Sequence, residues 1–105
     1  MVHLHPTKVA GLGDLSPGKS ACVMFGGEKV ALFNVNGTVH ALADTCSHRG
    51  GPLSDGKVEG TTVTCPWHGG GFDLKTGAAL GPPATQGVKR YQVTVKGNEI
   101  LLSVP

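Results

Sequence analysis

The chain has 105 residues, of which 39% are hydrophobic and 15% are charged, and its formal net charge is +2. This length predicts one domain with a modest core, and the hydrophobic share argues against a disordered protein. The Lys and Arg residues form no basic stripe, which excludes nucleic-acid binding as the main function. No apolar run approaches the roughly 18 residues of a membrane span, so we expect a cytoplasmic protein that binds no membrane.

Short apolar runs separated by glycine-containing turns predict an all-β fold. Two-residue turns lie between such runs at Gly26-Gly27, Asn36-Gly37 and Gly97-Asn98. Turns of this composition adopt positive φ at low cost and are typical of tight antiparallel hairpins. In the runs from Arg90 onward, apolar and polar residues alternate with a period of two, as in strands that bury one face. No window supports a long amphipathic helix.

The stretch from residue 44 to residue 83 differs in composition from the rest of the chain. It is richer in Gly and Pro, and its apolar runs are shorter. Clusters of such residues predict loops and turns rather than long strands. We therefore interpret 44–83 as a loop-rich subdomain inserted into a β base domain that consists of residues 1–43 and 84–105.

The predicted insertion contains two pairs of one cysteine and one histidine. CSHRG contains Cys46 and His48, and CPWHGGGFD contains Cys65 and His68. Two thiolates and two imidazoles suit a tetrahedral zinc ion. They also suit a [2Fe-2S] cluster in which two histidines replace two cysteines on one iron. Zinc modules usually group like ligands, whereas each loop here offers one of each kind, which favours the cluster.

These motifs resemble the paired ligand loops of the Rieske iron–sulfur proteins. GPPA, at residues 81–84, is similar to the proline-containing loop that covers the cluster in that family. The resemblance implies the Rieske fold, an antiparallel β-sandwich base domain with an inserted, loop-rich cluster-binding subdomain. It also implies one [2Fe-2S] cluster as the cofactor, without catalytic residues, because this centre has no open position for substrate. The implied metal ligands are Cys46, His48, Cys65 and His68.

Departures from one branch of the Rieske family bear on the reduction potential. Members in respiratory and photosynthetic complexes have an extra cysteine in each ligand loop, joined as a disulfide, where this chain has Gly51 and Trp67. They also have a Ser and a Tyr that donate hydrogen bonds to cluster sulfurs, where this chain has Gly70 and Phe72. Without those donors the reduced, more negative cluster is less stable. We expect a potential near the lower end of the Rieske range, which is roughly −150 to +300 mV.

The resemblance implies a ferredoxin rather than an enzyme. It would pass single electrons from a flavin-dependent ferredoxin reductase to a terminal aromatic-ring oxygenase, itself with a Rieske domain, and we expect a monomer. At 105 residues the chain has no room for the mononuclear iron domain of such an oxygenase. The alternative is the small Rieske-like subunit of an assimilatory nitrite reductase. A zinc-stabilised β adaptor is a third hypothesis.

Three other residues were candidates for function. Cys22 lies among apolar residues in a predicted strand, and we expect a small buried side chain. His40 is expected on the surface of a strand of the base domain. Trp67, next to His68, either packs beside its own loop or contacts a redox partner, since aromatic residues are enriched where interfaces bind most strongly.

Overall fold

A computed structural model describes residues 6–44, 52–66, 70–80 and 87–103. These residues form nine β-strands and two short 3-10 helices, and no helix among them is long and apolar enough to cross a membrane. The prediction of a mostly β, antiparallel fold is confirmed. The 3-10 helices are Leu12–Asp14 and Leu53–Asp55. The strands are β1 (Thr7–Gly11), β2 (Ser20–Phe25), β3 (Glu28–Val35), β4 (Thr38–Ala43), β5 (Lys57–Glu59), β6 (Thr62–Thr64), β7 (Gly71–Asp73), β8 (Arg90–Lys96) and β9 (Glu99–Ser103).

The strands form two antiparallel sheets. The larger sheet has six strands in the order β1-β9-β8-β4-β3-β2, and the smaller sheet has three in the order β5-β6-β7. The larger sheet uses strands from both sides of the predicted insertion, whereas the smaller sheet lies within it. The stretch that composition predicted as loop-rich therefore includes three strands of three residues each. The boundaries assigned to the insertion, 44 and 83, stay a prediction.

All three predicted glycine turns connect neighbouring strands of the larger sheet. They join β2 to β3, β3 to β4 and β8 to β9. At the second turn Asn36 has φ of 53° and Gly37 has φ of 95°, the pair of positive values that a type I′ hairpin turn requires. The side chain of Asn34 supports this turn, because its Oδ1 accepts a hydrogen bond of 2.8 Å from the backbone N–H of Gly37.

Strand β3 is buried on both faces and separates two hydrophobic cores. Val30 and Leu32 point into the first core, and Ala31 and Phe33 point into the second. All four are at most 1% exposed. The first core lies inside the folded larger sheet and also contains Leu15, Phe25, Val39, Ala41, Tyr91, Ile100 and Leu102. The second core joins the larger sheet to the smaller one and also contains Leu42, Leu53, Val63, Cys65, Phe72 and Leu74.

Burial of apolar surface in the second core fixes the small sheet on one face of the large sheet. Because side chains alternate along a strand, this face carries every second residue of β3 and β4. It includes Leu42 and, directly after β4, Asp44. The second core therefore underlies the start of the first ligand loop.

Candidate metal centre

One of the four predicted ligands, Cys65, lies among the described residues. The other three, Cys46, His48 and His68, fall in the segments 45–51 and 67–69, outside the described residues, and so do Gly51, Trp67 and the GPPA loop. The ligand assignment therefore stays a prediction. Within the described ranges, no group of three or more His, Cys, Asp or Glu residues could hold a metal ion.

Cys65 follows β6 and begins the second ligand loop. Its backbone N–H donates a hydrogen bond of 2.7 Å to the carbonyl oxygen of Gly70, which closes the loop at its base. The register of β6 with β7 pairs Val63 with Phe72, so Cys65 comes opposite Gly70 on the same face of the small sheet. That face points into the second core, where Cys65 is 1% exposed and Phe72 is 0% exposed.

The first ligand loop is closed at its base by Asp44. The backbone N–H of Leu53 donates to the Asp44 carbonyl oxygen at 2.7 Å, and that of Ser54 donates to Asp44 Oδ1 at 2.7 Å. The N–H of Asp44 itself donates to the carbonyl oxygen of Lys29 at 3.0 Å, which ties this point to β3. The chain thus leaves the larger sheet at Asp44 and returns to the same residue after the segment 45–52.

The stems of the two loops pack against each other. Leu53, in the first stem, and Cys65, at the start of the second loop, belong to the same hydrophobic core. At the end of the first stem, Gly56 lies so close to β6 that a Cβ there would clash with the carbonyl oxygen of Thr64. Only glycine permits this approach of two backbones. Both ligand-bearing loops therefore begin and end on neighbouring points of one rigid support.

The surroundings of Cys65 suit a sulfur ligand of an iron–sulfur cluster. The thiol lies at a dry, well-packed position, and Gly70 opposite it has no side chain to occupy the same face. A thiolate at such a position can bind a compact inorganic group while neighbouring backbone N–H groups approach its sulfur atoms. A donor set of two cysteines and two histidines is the one that a Rieske cluster uses. The residues present therefore fit a [2Fe-2S] cluster.

The expectation that Cys22 is buried is wrong. Its side chain is exposed, because β2 is the edge strand of the larger sheet and the second core does not extend over it. The Sγ atom lies 3.5 Å from Asp44 Oδ2. Partial desolvation raises the pKa of the Cys22 thiol, and the Asp44 charge raises it further, so the thiol stays protonated and donates to the carboxylate.

His40 lies in the middle of β4, as expected, and is half-buried. Desolvation lowers its pKa, and the nearby Lys75 charge lowers it further, against a smaller opposite effect of Asp73. The imidazole is thus kept neutral at physiological pH.

Comparison with known proteins identifies relatives of nearly the same length. The chain matches the family described as Rieske [2Fe-2S] domain over residues 5–92. It is 36% identical over 93 residues to the ferredoxin component of the naphthalene 1,2-dioxygenase system of Pseudomonas aeruginosa, a match that covers 89% of each chain. It is 46% identical over 77 residues to the 3-phenylpropionate/cinnamic acid dioxygenase ferredoxin subunit of Shigella flexneri, covering 72% of this chain and 73% of that one.

The solved structures that resemble this chain include a ferredoxin of a dioxygenase system, as the sequence relatives do. The ferredoxin of carbazole 1,9a-dioxygenase from Nocardioides aromaticivorans matches with a TM-score of 0.90 and 33% identity, covering 95% of this chain and 98% of that one. The terminal oxygenase of the same system matches with a TM-score of 0.87 and 32% identity, over 99% of this chain but only 31% of the oxygenase. A nitrite reductase small subunit matches with a TM-score of 0.81 and 30% identity, covering 94% of this chain and 98% of that one.

These relatives decide between the hypotheses of electron carrier and enzyme. The sequence relatives, which match over most of their own length, are named ferredoxin components or subunits, so the prediction of an electron-transfer component rather than an enzyme is confirmed. The prediction of one [2Fe-2S] cluster is confirmed by the family match, which also makes the zinc adaptor untenable. From its fold, its ligand-loop stems and its relatives, the chain belongs to the Rieske [2Fe-2S] family.

Proposed function

We propose that this protein is a ferredoxin that takes single electrons from a flavin-dependent reductase and delivers them to a terminal oxygenase with a Rieske domain of its own. The observation that carries the proposal is its similarity, over nearly the whole chain, to ferredoxin components of dioxygenase systems. The bound [2Fe-2S] cluster supplies one reversibly exchanged electron. We assign its ligands as Cys46, His48, Cys65 and His68, and its working place as the reducing cytoplasm, where cysteines persist as thiolate ligands.

The polypeptide provides a rigid, dry support for this redox centre. Both ligand loops are closed by short hydrogen bonds, at Asp44 and at the Cys65–Gly70 contact, and both stems pack on the second core. A support of this kind holds the ligands in one geometry while the charge of the centre changes. The face around Cys65 contains Gly70 and Phe72, neither of which has a hydroxyl group. We therefore propose a low potential, which suits an electron source for an oxygenase.

The ligand assignment is tested by substitution with matched controls. Cys46→Ser, His48→Ala, Cys65→Ser and His68→Ala should each lose the cluster, measured as iron and acid-labile sulfide per chain. Cys22→Ser and His40→Asn change the same residue types outside the assigned set and should retain it. Electron paramagnetic resonance of the reduced wild-type protein should give the low average g-value of a centre with histidine ligands. Cluster loss in the two controls, with retention in His48→Ala or His68→Ala, would contradict the assignment.

The partner is the second part of the proposal. A ferredoxin that matches this chain with a TM-score of 0.86 and 32% identity comes from a structure of the carbazole 1,9a-dioxygenase oxygenase in complex with its ferredoxin. On this chain we propose an apolar contact beside the second ligand loop. Leu80 is 53% exposed, and its N–H is held at 2.9 Å by the carbonyl oxygen of Gly71. Trp67 follows the predicted ligand Cys65 by two residues in the sequence, and we propose it as a second apolar residue for this contact.

Stopped-flow mixing tests the partner and the surface together. The chemically reduced protein is mixed with the oxidised oxygenase component of the naphthalene 1,2-dioxygenase system, and reoxidation of the ferredoxin is followed by visible absorption. We expect one electron per chain to be transferred, more slowly for Leu80→Ser. Val95→Ser removes an apolar side chain, 44% exposed, from the β8–β9 hairpin, whose strands do not contribute to the second core, and should leave the rate unchanged. Equal rates for both variants would argue against a contact at Leu80.

The small subunit of a nitrite reductase is the second candidate, because such a subunit matches over 94% of this chain. It predicts a stable complex with a sirohaem-containing large subunit and no electron transfer to an oxygenase. Size-exclusion chromatography of the purified protein, which we expect to be a monomer, distinguishes the two candidates when it is combined with the mixing experiment. Co-purification with a sirohaem protein would replace the ferredoxin proposal.

A further inference from the structure

Asp44 is a buried acidic residue that the electron-carrier function does not by itself explain. Its side chain is only 5% exposed. Among the described residues the ion pairs are Lys8–Glu99 and Lys57–Glu59, and Asp44 belongs to neither. Removing a carboxylate from water without a counter-charge is costly, so a protein retains one there only when hydrogen bonds stabilise it.

The side chain of Asp44 accepts two hydrogen bonds. Oδ1 accepts from the backbone N–H of Ser54 at 2.7 Å, and Oδ2 accepts from the thiol of Cys22 at 3.5 Å. Ser54 is itself held in place, because Ser20 Oγ donates to its carbonyl oxygen at 2.7 Å. The raised pKa of Cys22 keeps that thiol a donor. Neither donor brings a full positive charge. The charge of Lys29 acts on the same pair, but Lys29 is exposed and forms no ion pair with Asp44 among the described residues.

The position of this charge is close to the assigned redox centre. Asp44 precedes Cys46 by two residues, so their Cα atoms are at most about 7 Å apart. It also lies on the side of the larger sheet that faces the second core, to which Cys65 belongs. A charge in such a poorly solvated place interacts with its surroundings over several ångströms with little screening by salt.

We propose that Asp44 is a buried negative charge that lowers the reduction potential of the cluster while it closes the first ligand loop. The inference rests on the proposed function, since it requires the cluster to be ligated by Cys46. Reduction adds one electron, and therefore one negative charge, to the centre. A fixed carboxylate nearby raises the free energy of the reduced form more than that of the oxidised form. The same residue that positions the loop thus contributes to the low potential.

The test compares Asp44→Asn with Asp55→Asn by potentiometric titration at constant pH. The asparagine at 44 keeps the shape of the side chain and can still accept the Ser54 hydrogen bond, but it removes the charge. Asp55 lies next to Ser54 in the 3-10 helix Leu53–Asp55, and its side chain is exposed. Asp55→Asn therefore removes an equal charge that water already screens. We expect Asp44→Asn to raise the ratio of reduced to oxidised protein at fixed potential about tenfold, which is about 59 mV for a one-electron couple.

The control should change that ratio less than twofold, and the Asp44→Asn shift should persist in high salt. An unchanged potential in Asp44→Asn, or a shift no larger than in Asp55→Asn, with the wild-type paramagnetic signal intact, would overturn the inference and leave the proposed function standing. A wild-type protein without that signal would instead overturn both.

A second pair of variants decides the question if Asp44→Asn fails to retain its cluster. Cys22 is exposed, so its replacement leaves the core intact. Cys22→Ala removes one donor to the carboxylate and should lower the ratio of reduced to oxidised protein about twofold. Cys22→Ser supplies a stronger hydrogen-bond donor, which withdraws negative charge from the carboxylate. This variant should raise the ratio of reduced to oxidised protein about twofold. Equal potentials in the two variants, or the reverse order, would overturn the inference.

Discussion

Replacing Phe72 by tyrosine should raise the reduction potential, because the substitution introduces a hydroxyl donor that this protein lacks at that position. Phe72 is 0% exposed and lies on β7. It comes two residues after Gly70, the residue opposite Cys65, and therefore lies on the same face of the small sheet as Cys65. Diagonal neighbours on one face of an antiparallel pair have Cβ atoms roughly 7 Å apart, within reach of an aromatic side chain. We therefore expect a tyrosine hydroxyl at 72 to donate to a sulfur atom of the centre.

The size of the effect follows from the energy of such a hydrogen bond. A bond to a charged acceptor contributes about 1.5–3 kcal/mol in total, and part of this is already present in the oxidised state. If about 1 kcal/mol distinguishes the two states, the potential rises by about 43 mV, since about 1.4 kcal/mol corresponds to about 59 mV for one electron. The added oxygen also needs space in the second core, so we expect a loss of stability of about 1 kcal/mol or more.

Potentiometric titration followed by visible absorption measures the potential, and Phe25→Tyr is the control. Phe25 lies in the first core, where its ring contacts Tyr91 edge to face at 5.6 Å, so a hydroxyl there adds a polar atom far from Cys65. We expect a raised potential only in Phe72→Tyr. An unchanged or lowered potential, with the cluster spectrum intact, would refute the hydroxyl explanation of the low potential. Equal rises in both variants would point to a general effect of added polarity.

Two further predictions concern the stability of the base on which the centre rests. Gly77 has φ of +80° and a Cβ there would clash with the carbonyl oxygen of Val88, whereas Gly18 has φ of +86° and open space around it. Gly77→Ala should therefore cost about 3 kcal/mol and Gly18→Ala only about 1 kcal/mol, measured by urea unfolding; equal losses would exclude the clash. Burial and the 2.8 Å hydrogen bond to Glu28 raise the pKa of Tyr91, the single tyrosine, to about 12. Because this lies above the unfolded value of about 10, that stabilisation is complete below pH 10 and is lost towards pH 12. Ultraviolet titration of tyrosinate should show it, and a native midpoint near 10 would contradict it.

Local patterns in the sequence predicted the parts of the fold that depend on neighbouring residues. The three glycine turns connect the strands that they separate in the sequence, because the backbone at Asn36-Gly37 and the other turns can adopt positive φ. In β8 the alternation of apolar and polar residues predicts only part of the buried face. Tyr91 is buried, but Val95 is 44% exposed, since it lies at the end of the hairpin beyond the first core.

Strands that depend on distant partners were not predicted. Strand β1 has no turn signal, and it forms because it pairs with β9 at the other end of the chain. The strands β5, β6 and β7 are three residues long, too short for any periodic pattern, and pairing with each other makes them a sheet. A composition rich in Gly and Pro therefore looked like loops in a place where long-range pairing produces a small sheet.

At the candidate centre, the sequence by itself predicted the chemistry, because the order and spacing of Cys46, His48, Cys65 and His68 form a pattern that can be recognised without a folded structure. Only the tertiary structure decided which other residues support them. Asp44 and Cys22 are 22 residues apart in the chain, and they meet because β2, β3 and the end of β4 lie side by side. Ligand identity is a property of side-chain type, whereas burial, closure of the loops and nearby charge arise only when distant segments pack on one core.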